Sequence, residues 1–355
     1  MRVVLLALLV ACGGKGDSEP ASQPIPANDA AAKPVAVARP LDARELVAHL
    51  RECDKQFAAR ADDALAACYA PTATAALVGG AISATTNQQV VDQLARGLWV
   101  GFPDLQVAPQ LQVAAGTAVV SVDLLTGNNR GAFLGQPATQ RPIGVIAARL
   151  LQMLPTGEIA DEQLFVDEAT LRGQLGDPAL LVRPLIPTGL AEPRVVVAAG
   201  TPAERATAAL LGKVDVAIND HADKALLASF ATDAVVVDHT AAQDARGQVA
   251  IGQYYQQLFH AFPDLHTTRI ALWAAGPIAV QVVELIGTNE GPWPALAIRK
   301  PTHHTVRLRQ LQVAETRGQG LASLWTFANG LSLRIQLGLI PDPSTAAPED
   351  SDPEP

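Results

Sequence analysis

Histidine, the side chain that most often transfers protons or binds metal ions near neutral pH, is concentrated in the second half of this sequence. Six of the seven histidines follow residue 200, and two neighbouring pairs, Asp238-His239 and His303-His304, suggest a metal site. Adjacent residues on a strand point to opposite faces of a sheet, so neither pair can hold one ion. The sequence also lacks H-x-x-x-H and C-x-x-C spacings. We therefore expect no metal site and no cofactor.

Cys12 is a second group with possible chemistry, because it ends a short apolar segment at the beginning of the chain. Residues 1–11 read M-R-V-V-L-L-A-L-L-V-A. One basic residue before an apolar run is typical of a secretory signal peptide, and the run is too short to span a bilayer. L-V-A-C at 9–12 resembles the bacterial lipobox, which predicts lipidation of Cys12 and a membrane anchor. Gly13 after the cysteine, rather than Asp, resembles the signal for sorting to the outer membrane of Gram-negative bacteria. The alternatives are an ordinary signal peptide with a chance cysteine and a mis-called start codon.

Charge and composition restrict the class of protein. The 355-residue chain carries a formal net charge of −9 and is 49% hydrophobic, which is enough to fill two domain cores. Nucleic-acid binding needs a basic surface, so we expect no nucleic-acid partner. Residues 12–42, rich in Pro, Ala and small polar residues, are predicted to form a disordered tether. Residues 341–355 contain five acidic and no basic residues and predict a disordered tail.

A duplicated unit organises the remaining sequence. Several blocks recur in the same order about 160 residues later: A-C-Y-A-P-T-A at 67–73 and A-S-F-A-T-D-A at 228–234, F-P-D-L at 102–105 and 262–265, G-N-N-R-G at 127–131 and G-T-N-E-G at 287–291, and Q-L-G at 174–176 and 336–338. Ordered blocks at a nearly constant offset predict two copies of one domain. We assign domain 1 to residues 43–176, a proline-rich linker to 177–202 and domain 2 to 203–340.

Each copy begins with helices and continues as strands. Apolar residues at helical spacing predict helices over 44–59 and 203–219, and a further helix in each copy ends at the proline of F-P-D-L. The strand-like segments that follow are 117–125, 143–154, 279–286 and 305–313. This order predicts an α+β fold of two tandem cone-shaped domains, each with helices packed in a curved antiparallel sheet around a cavity for a small ligand.

Cys53 and Cys68 are the only cysteines after Cys12, and both are missing from the second copy. Their counterparts are Val214 and Ser229. Two cysteines that form a disulfide are expected to be replaced together, as these two are in the second copy. An exported protein also folds in an oxidising compartment, where disulfides form. We hypothesise a disulfide between them; the alternative is two small buried residues.

The repeated motifs resemble the SnoaL-like, or ester-cyclase-like, branch of the nuclear transport factor 2-like superfamily. Members of that branch show a helix leading into F-P-D-L and a terminal helix ending in Q-L-G, and both copies carry these motifs. The resemblance implies a cystatin-like cone and, in its cyclases, chemistry similar to ketosteroid isomerase. There a buried carboxylate removes a proton next to a carbonyl group.

The resemblance also implies the positions of the site residues. The family's base is an Asp before the last helix, which is Asp167 in copy one but Asn329, an amide, in copy two. Both residue types cap helices equally well, so N-capping is the alternative role. Where family members have a Gly-Thr-His histidine, the two copies have Asn129 and Asn289. The family's tryptophan remains only in copy two, as Trp325.

These substitutions favour a small-molecule-binding or interaction module with degenerate catalytic motifs. The alternatives are a polyketide-cyclase-like or ketosteroid-isomerase-like enzyme that uses Asp167, and a structural envelope protein with filled cavities. The expected ligand is a small apolar or carbonyl-containing molecule. Because members of the superfamily often pair through their sheets, we expect an internal pseudo-dimer or a homodimer. Residues proposed to line the polar part of the second cone are Asn219, His221, Asp238 and Trp325.

Overall fold

The described part of the protein comprises residues 39–180, 183–190 and 192–341 of a computed structural model. The predicted signal peptide, Cys12, most of the tether and the acidic tail after Pro341 lie outside the described residues. Among the described helices, none is both long enough and apolar enough to cross a membrane.

The first copy contains five helices, a π-helical turn and six strands. In chain order these are α1 (Ala43–Ala59), α2 (Asp62–Ala66), β1 (Tyr69–Leu77), β2 (Ser83–Ala84), α3 (Asn87–Gln89), the π-helical turn Val90–Ala95, α4 (Arg96–Gly101), β3 (Gln106–Ala115), β4 (Ala118–Asn128), β5 (Pro142–Met153), β6 (Ile159–Phe165) and α5 (Glu168–Gln174).

The linker contributes one strand, and the second copy repeats the order of the first. The elements are β7 (Arg194–Val197), α6 (Pro202–Asn219), α7 (Asp223–Ala228), β8 (Phe230–Asp238), β9 (Ala245–Arg246), α8 (Gly247–Ala261), β10 (His266–Ala275), β11 (Ile278–Thr288), a 3₁₀ turn (Pro294–Leu296), β12 (Thr305–Arg317), β13 (Gly320–Phe327) and α9 (Gly330–Gln336). The predicted order of helices followed by strands is confirmed.

Both long N-terminal helices begin with a capping box. In α1, Asp42 accepts hydrogen bonds from the backbone of Glu45, whose side chain bonds back to the backbone N–H of Asp42. In α6, Thr201 and Glu204 make the same exchange, with Pro202 in the first turn. These contacts satisfy the free N–H groups of the first turn, so local sequence defines where each domain begins.

The two sheets have the same strand order. The first runs β2-β1-β6-β5-β4-β3, and the linker strand β7 adds to β3; the second runs β9-β8-β13-β12-β11-β10. Neighbours within each copy are antiparallel except β1 with β6 and β8 with β13, which are parallel. The expected sheets are therefore confirmed, with one difference. In each copy the first long strand pairs with the last strand, and the rest of the domain connects the two. A connection of this length allows the two strands to run parallel.

The helices of each copy cover one face of its sheet, and the other faces of the two sheets pack together. One continuous apolar core contains Leu111, Val120 and Leu150 of the first sheet and Val280, Leu311 and Val313 of the second. Each sheet is thus buried on both faces. This explains why β4 and β11 are almost continuously apolar, since strands buried on both sides do not alternate with polar residues.

Asp167 lies where the two copies meet, at the N-terminus of α5. Its carboxylate accepts N–H bonds from Ala169 and Thr170 of its own helix and from Gly330 of the second copy, at 3.1, 3.0 and 2.8 Å. Arg334, which donates to the carbonyl of Gly330 at 3.1 Å, is buried nearby. Burial raises the pKa of Asp167 although these N–H donors oppose the shift.

Asn329 occupies the equivalent position in the second copy. Its side-chain oxygen accepts from the backbone N–H groups of Leu331 and Ser332, and its amide donates to Glu168 Oε2 at 2.6 Å. The N-termini of α5 and α9 therefore face each other, and each cap residue also bonds to the opposite copy. Asp and Asn are equally suited to capping a helix, whereas only the Asn amide can donate the bond to Glu168.

A disulfide joins Cys53 of α1 to Cys68, immediately before β1, with their Cα atoms 5.8 Å apart. Both residues are buried in the core of the first copy. The bond ties the first helix to the first strand and closes a short loop of chain. A short closed loop stabilises a domain chiefly by restricting its unfolded chain.

We predict that replacing both cysteines by the residues of the second copy, Cys53→Val with Cys68→Ser, lowers the free energy of unfolding by about 3 kcal/mol. Urea unfolding of the oxidised parent and of the variant measures the difference. A reducing agent should destabilise the parent by a similar amount and leave the variant unchanged. Identical urea midpoints for the oxidised parent and the variant would contradict the prediction.

Candidate functional site

The first cone contains a pocket of about 140 Å³ whose mouth is open to solvent. Its walls come from α1, the π-helical turn and the concave face of the first sheet. Most of the lining is apolar, as in Leu50, Val107, Leu125, Val145, Ile159 and Leu164. A large, mainly apolar cavity with a few polar groups is the usual form of a small-molecule site.

Five polar side chains in the pocket wall form what we call the acidic cluster: Asp54, Tyr69, Asp123, Arg149 and Glu162. Arg149 donates from Nε to Asp123 at 2.7 Å and from Nη1 to Asp54 at 2.9 Å. Tyr69 donates its hydroxyl to Glu162 at 2.5 Å. Three carboxyl groups thus share one guanidinium and one phenol.

Burial controls the electrostatics of the acidic cluster. It raises the pKa of Asp54 and of Glu162, because a charged carboxylate is poorly solvated there. Burial lowers the pKa of Arg149, but the surrounding carboxylates outweigh it and raise that pKa well above its ordinary value. Arg149 therefore stays charged, whereas Asp54 and Glu162 ionise less readily than carboxyl groups in water.

Two buried atoms of the cluster, Asp54 Oδ2 and Arg149 Nη2, have no hydrogen-bond partner among the described residues. Buried polar atoms are normally satisfied, and those that are not often mark a place where a ligand or water binds. In the described part of the chain, no group of three or more His, Cys, Asp or Glu side chains is arranged to hold a metal ion.

The open pocket depends on an irregular helix. Between the second strand and F-P-D-L, copy one has one residue more than copy two, counted from Ala84 to Phe102 and from Ala245 to Phe262. Copy two crosses this stretch as the continuous helix α8, whereas copy one takes up the extra residue in the π-helical turn Val90–Ala95. Residues of that turn line the pocket, and π-helical turns are frequent at functional sites.

The second cone is filled by larger side chains at equivalent positions. Tyr255 stands seven residues before Phe262, where copy one has Ala95 seven residues before Phe102. Tyr255 is buried in a core that also contains Phe259, Leu324 and Trp293. The aromatic ring takes up space that is open in copy one.

The acidic cluster is also largely replaced in copy two. Strand register places Phe230, Val283, Gln312 and Leu324 where copy one has Tyr69, Asp123, Arg149 and Glu162. Asp215 replaces Asp54, and it pairs with Arg269 and Gln281 instead. The pocket and its cluster therefore occur together in copy one and are replaced together in copy two.

Asp167, the residue expected to be the general base, does not line this pocket. It borders a much smaller crevice, of about 10 Å³, between the copies, together with Thr170, Arg183 and His239. Burial lowers the pKa of His239 to about 3, so its ring stays neutral there. The carboxylate of Asp167 is occupied by the three N–H donors described above.

Asn129 and Asn289 hold equivalent loops rather than line a pocket. Asn129 accepts from the N–H of Thr139 at 2.7 Å and donates to the carbonyl of Gly131 at 2.9 Å. Asn289 makes the same pair of contacts with Thr302 and Gly291, at 2.8 Å each. Both asparagines are almost fully buried and satisfied by backbone groups.

The residues expected to line the second cone do not converge on one cavity. Asn219 and His221 bond to the backbone at the start of β10, and His221 also stacks on Phe259 at 4.4 Å. Asp238 accepts the hydroxyls of Thr240 and Tyr254. Trp325 packs against the core between the two sheets, on the face opposite the helices. Asn329 caps α9 at the contact between the copies.

The acidic cluster was missed, although the sequence carries a signal for it. Asp123 interrupts the apolar run V-V-S-V-D-L-L, and Arg149 interrupts I-A-A-R-L-L. A charge within a strand buried on both faces must be paired or functional. In the second copy, 160 residues later, the position equivalent to Asp123 is occupied by Val283.

In comparisons with known proteins, each copy matches a SnoaL-like family model. Residues 54–175 match the family model of the SnoaL-like polyketide cyclase, and residues 214–330 match that of the SnoaL-like domain. No curated protein matches the chain.

Three of the similar solved structures each cover about one domain of this chain. A SnoaL-like protein of a Jannaschia species has 15% identity and a TM-score of 0.37, covering 40% of this chain and 99% of its own. TsrD of Streptomyces laurentii has 17% identity and a TM-score of 0.34, covering 38% and 97%. A nuclear transport factor 2-like protein of Burkholderia xenovorans has 16% identity and a TM-score of 0.31, covering 38% and 97%. With the family matches and the two cones described above, the chain is a tandem of two SnoaL-like domains, each with the nuclear transport factor 2-like fold.

Proposed function

We propose that domain 1 binds a small, largely apolar molecule and that domain 2 is its structural partner. The observation that carries this proposal is the joint occurrence of an open pocket and an acidic cluster in domain 1, both replaced in domain 2. The same cone folds around Phe230, Val283 and Leu324 without the cluster. Stability of the fold therefore does not require these charges, and buried ion pairs rarely increase stability over apolar residues.

The contacts of domain 2 support its role as a partner. Its sheet covers the outer face of the domain 1 sheet. Its Asn329 also holds Glu168, which lines the pocket of domain 1. Domain 2 thus fixes one wall of a pocket to which its own interior contributes nothing.

We predict that the protein binds N-phenylnaphthylamine, a neutral apolar fluorophore, and that Ala95→Tyr or Leu94→Tyr weakens this binding about tenfold or more. Both substitutions introduce the residues of copy two, Tyr255 and Tyr254, and fill the pocket with an aromatic ring. Fluorescence titration measures the affinity.

Ala64→Tyr, an exposed position on α2, is the matched control and should leave the affinity unchanged. Circular dichroism of each variant checks that the fold is intact. Unchanged affinity in both correctly folded pocket variants, or no binding to the parent protein, would refute the proposed pocket.

Acid–base catalysis on a carbonyl compound is a second candidate function. The specific observation in its favour is a buried carboxyl group with a raised pKa, Glu162, beside the Tyr69 hydroxyl in an apolar pocket. Glu162 would remove a proton from the carbon next to the carbonyl group. Once Glu162 holds that proton, the Tyr69 hydroxyl is free to turn from Glu162 and donate to the developing enolate oxygen. This arrangement uses Glu162 in place of Asp167 as the base.

If domain 1 is such an enzyme, it should accelerate the exchange of the protons next to the carbonyl group of decalone in deuterated water. Proton NMR follows this exchange. We predict that Glu162→Gln slows it about 100-fold or more, the usual effect of losing a general base, whereas Asp167→Asn keeps the cap and leaves the rate unchanged. If Asp167→Asn slows the exchange and Glu162→Gln does not, Asp167 is the general base. If the parent protein does not accelerate the exchange, the catalytic function is rejected.

We also propose that the chain is exported and anchored to the outer membrane through a lipid on Cys12. The support is the sequence alone, since Cys12 follows an apolar segment after Leu9, Val10 and Ala11. A lipid chain contributes membrane affinity through its buried methylene groups.

Expressed in a Gram-negative host, the protein should incorporate labelled palmitate and sediment with membranes. Cys12→Ser should abolish both, because the acylated sulfur is removed. The double variant Cys53→Val with Cys68→Ser keeps Cys12 and should remain in the membrane fraction. Sedimentation of the Cys12→Ser protein with membranes would disprove the lipid anchor.

A further inference from the structure

We propose that the ligand of domain 1 carries a protonated amine on its apolar body and that this amine binds at Glu162 in the acidic cluster. The inference rests on the proposed binding function and adds the chemical class of the ligand. It starts from the imbalance of charges in the pocket wall.

The acids of the pocket outnumber its cations. The charged and titratable groups around it are Asp54, Tyr69, Asp123, Arg149, Glu162 and Glu168. Arg149 is bound by two carboxylates, Asp54 and Asp123. Arg51, a further cation near Asp54, donates its Nε to Gln112 at 2.9 Å.

Glu162 is left without a cationic hydrogen-bond partner. Its hydrogen-bond donor is the neutral hydroxyl of Tyr69, and it is 5% exposed. Glu168 likewise receives its bond from the neutral amide of Asn329. Arg149 acts on Glu162 only through its charge and is already bound by Asp54 and Asp123, so a further positive charge would stabilise the buried Glu162 carboxylate.

A protonated amine supplies the missing charge and the missing donors. It can donate to Glu162 and to Asp54 Oδ2, a buried acceptor with no partner among the described residues. Arg149 Nη2 also lacks a partner there, but an anion at that donor would lie among three carboxyl groups. A neutral ligand leaves the charge imbalance as it is. The amine is therefore the ligand class that the pocket favours.

Binding of the amine should compete with the proton held by the cluster. Burial raises the pKa of Glu162 and Asp54, so in the free protein the carboxyl groups keep a proton to higher pH than in water. Raising the pH removes this proton and strengthens binding of a cation, whereas binding of a neutral molecule stays constant. Affinity for an amine should therefore rise as the pH is raised above about 4, the ordinary range of a glutamate or aspartate side chain, until the cluster is ionised.

Two probes of matching shape test the proposal: naphthylmethylamine, which is positively charged, and naphthylmethanol, which is neutral. We expect the amine to bind the full-length protein about tenfold or more tightly than the alcohol, as for a desolvated charge pair. Calorimetry in two buffers of different ionisation enthalpy should show proton release on binding of the amine.

Glu162→Gln should bring the two affinities close together, because the amide keeps the bond from Tyr69 but loses the charge. Asp92→Asn is the matched control, since it removes an exposed acid outside the pocket and should preserve the preference for the amine. Circular dichroism again verifies folding.

Equal affinity for the two probes, or an amine preference that survives in Glu162→Gln, would overturn the proposal and leave the binding function intact. Binding of N-phenylnaphthylamine without binding of either naphthyl probe would have the same meaning. If none of the three probes binds, the proposed pocket function itself fails.

Discussion

The contact between the two sheets is the constraint on which the rest of the structure depends. Because helices cover one face of each sheet and the other copy covers the opposite face, neither sheet has a solvated side. The strands in the middle of both sheets must then be apolar along their length. A charged residue in such a strand requires a partner inside the domain, and this is why Asp123 and Arg149 lie together.

Duplication within one chain permits a division of roles. The two copies keep the same strand order, the same loop asparagines and equivalent helix caps, so the frame is built twice. Their interiors differ at several positions, among them Ala95, which corresponds to Tyr255, and Glu162, which corresponds to Leu324. A cavity filled by a well-packed side chain makes a domain more stable than an open cavity does. The filled domain 2, packed against the sheet of domain 1, can therefore stabilise the domain that contains the open pocket.

The helix caps at the contact between the copies separate two roles that sequence alone could not distinguish. An Asp before a short helix can serve as a base or as a cap, and the local sequence is the same in both cases. Asp167 accepts a bond from a backbone N–H of the other copy, and the Asn329 amide donates to the Glu168 carboxylate of the first copy. Both contacts join residues more than 150 positions apart, so no local pattern could reveal them.

The sequence by itself determined the duplication, the order of elements and the α+β cones, because these depend on local periodicity, capping and repeated motifs. It also singled out Cys53 and Cys68 as a pair, which the structure joins. The tertiary structure alone decided which cone is open and which side chains reach its interior. One extra residue in a helix and one Ala in place of Tyr change a cavity only through the packing of distant elements. For the same reason the acidic cluster, drawn from α1, β1, β4, β5 and β6, exists as a site only after the sheet has curved around the helices.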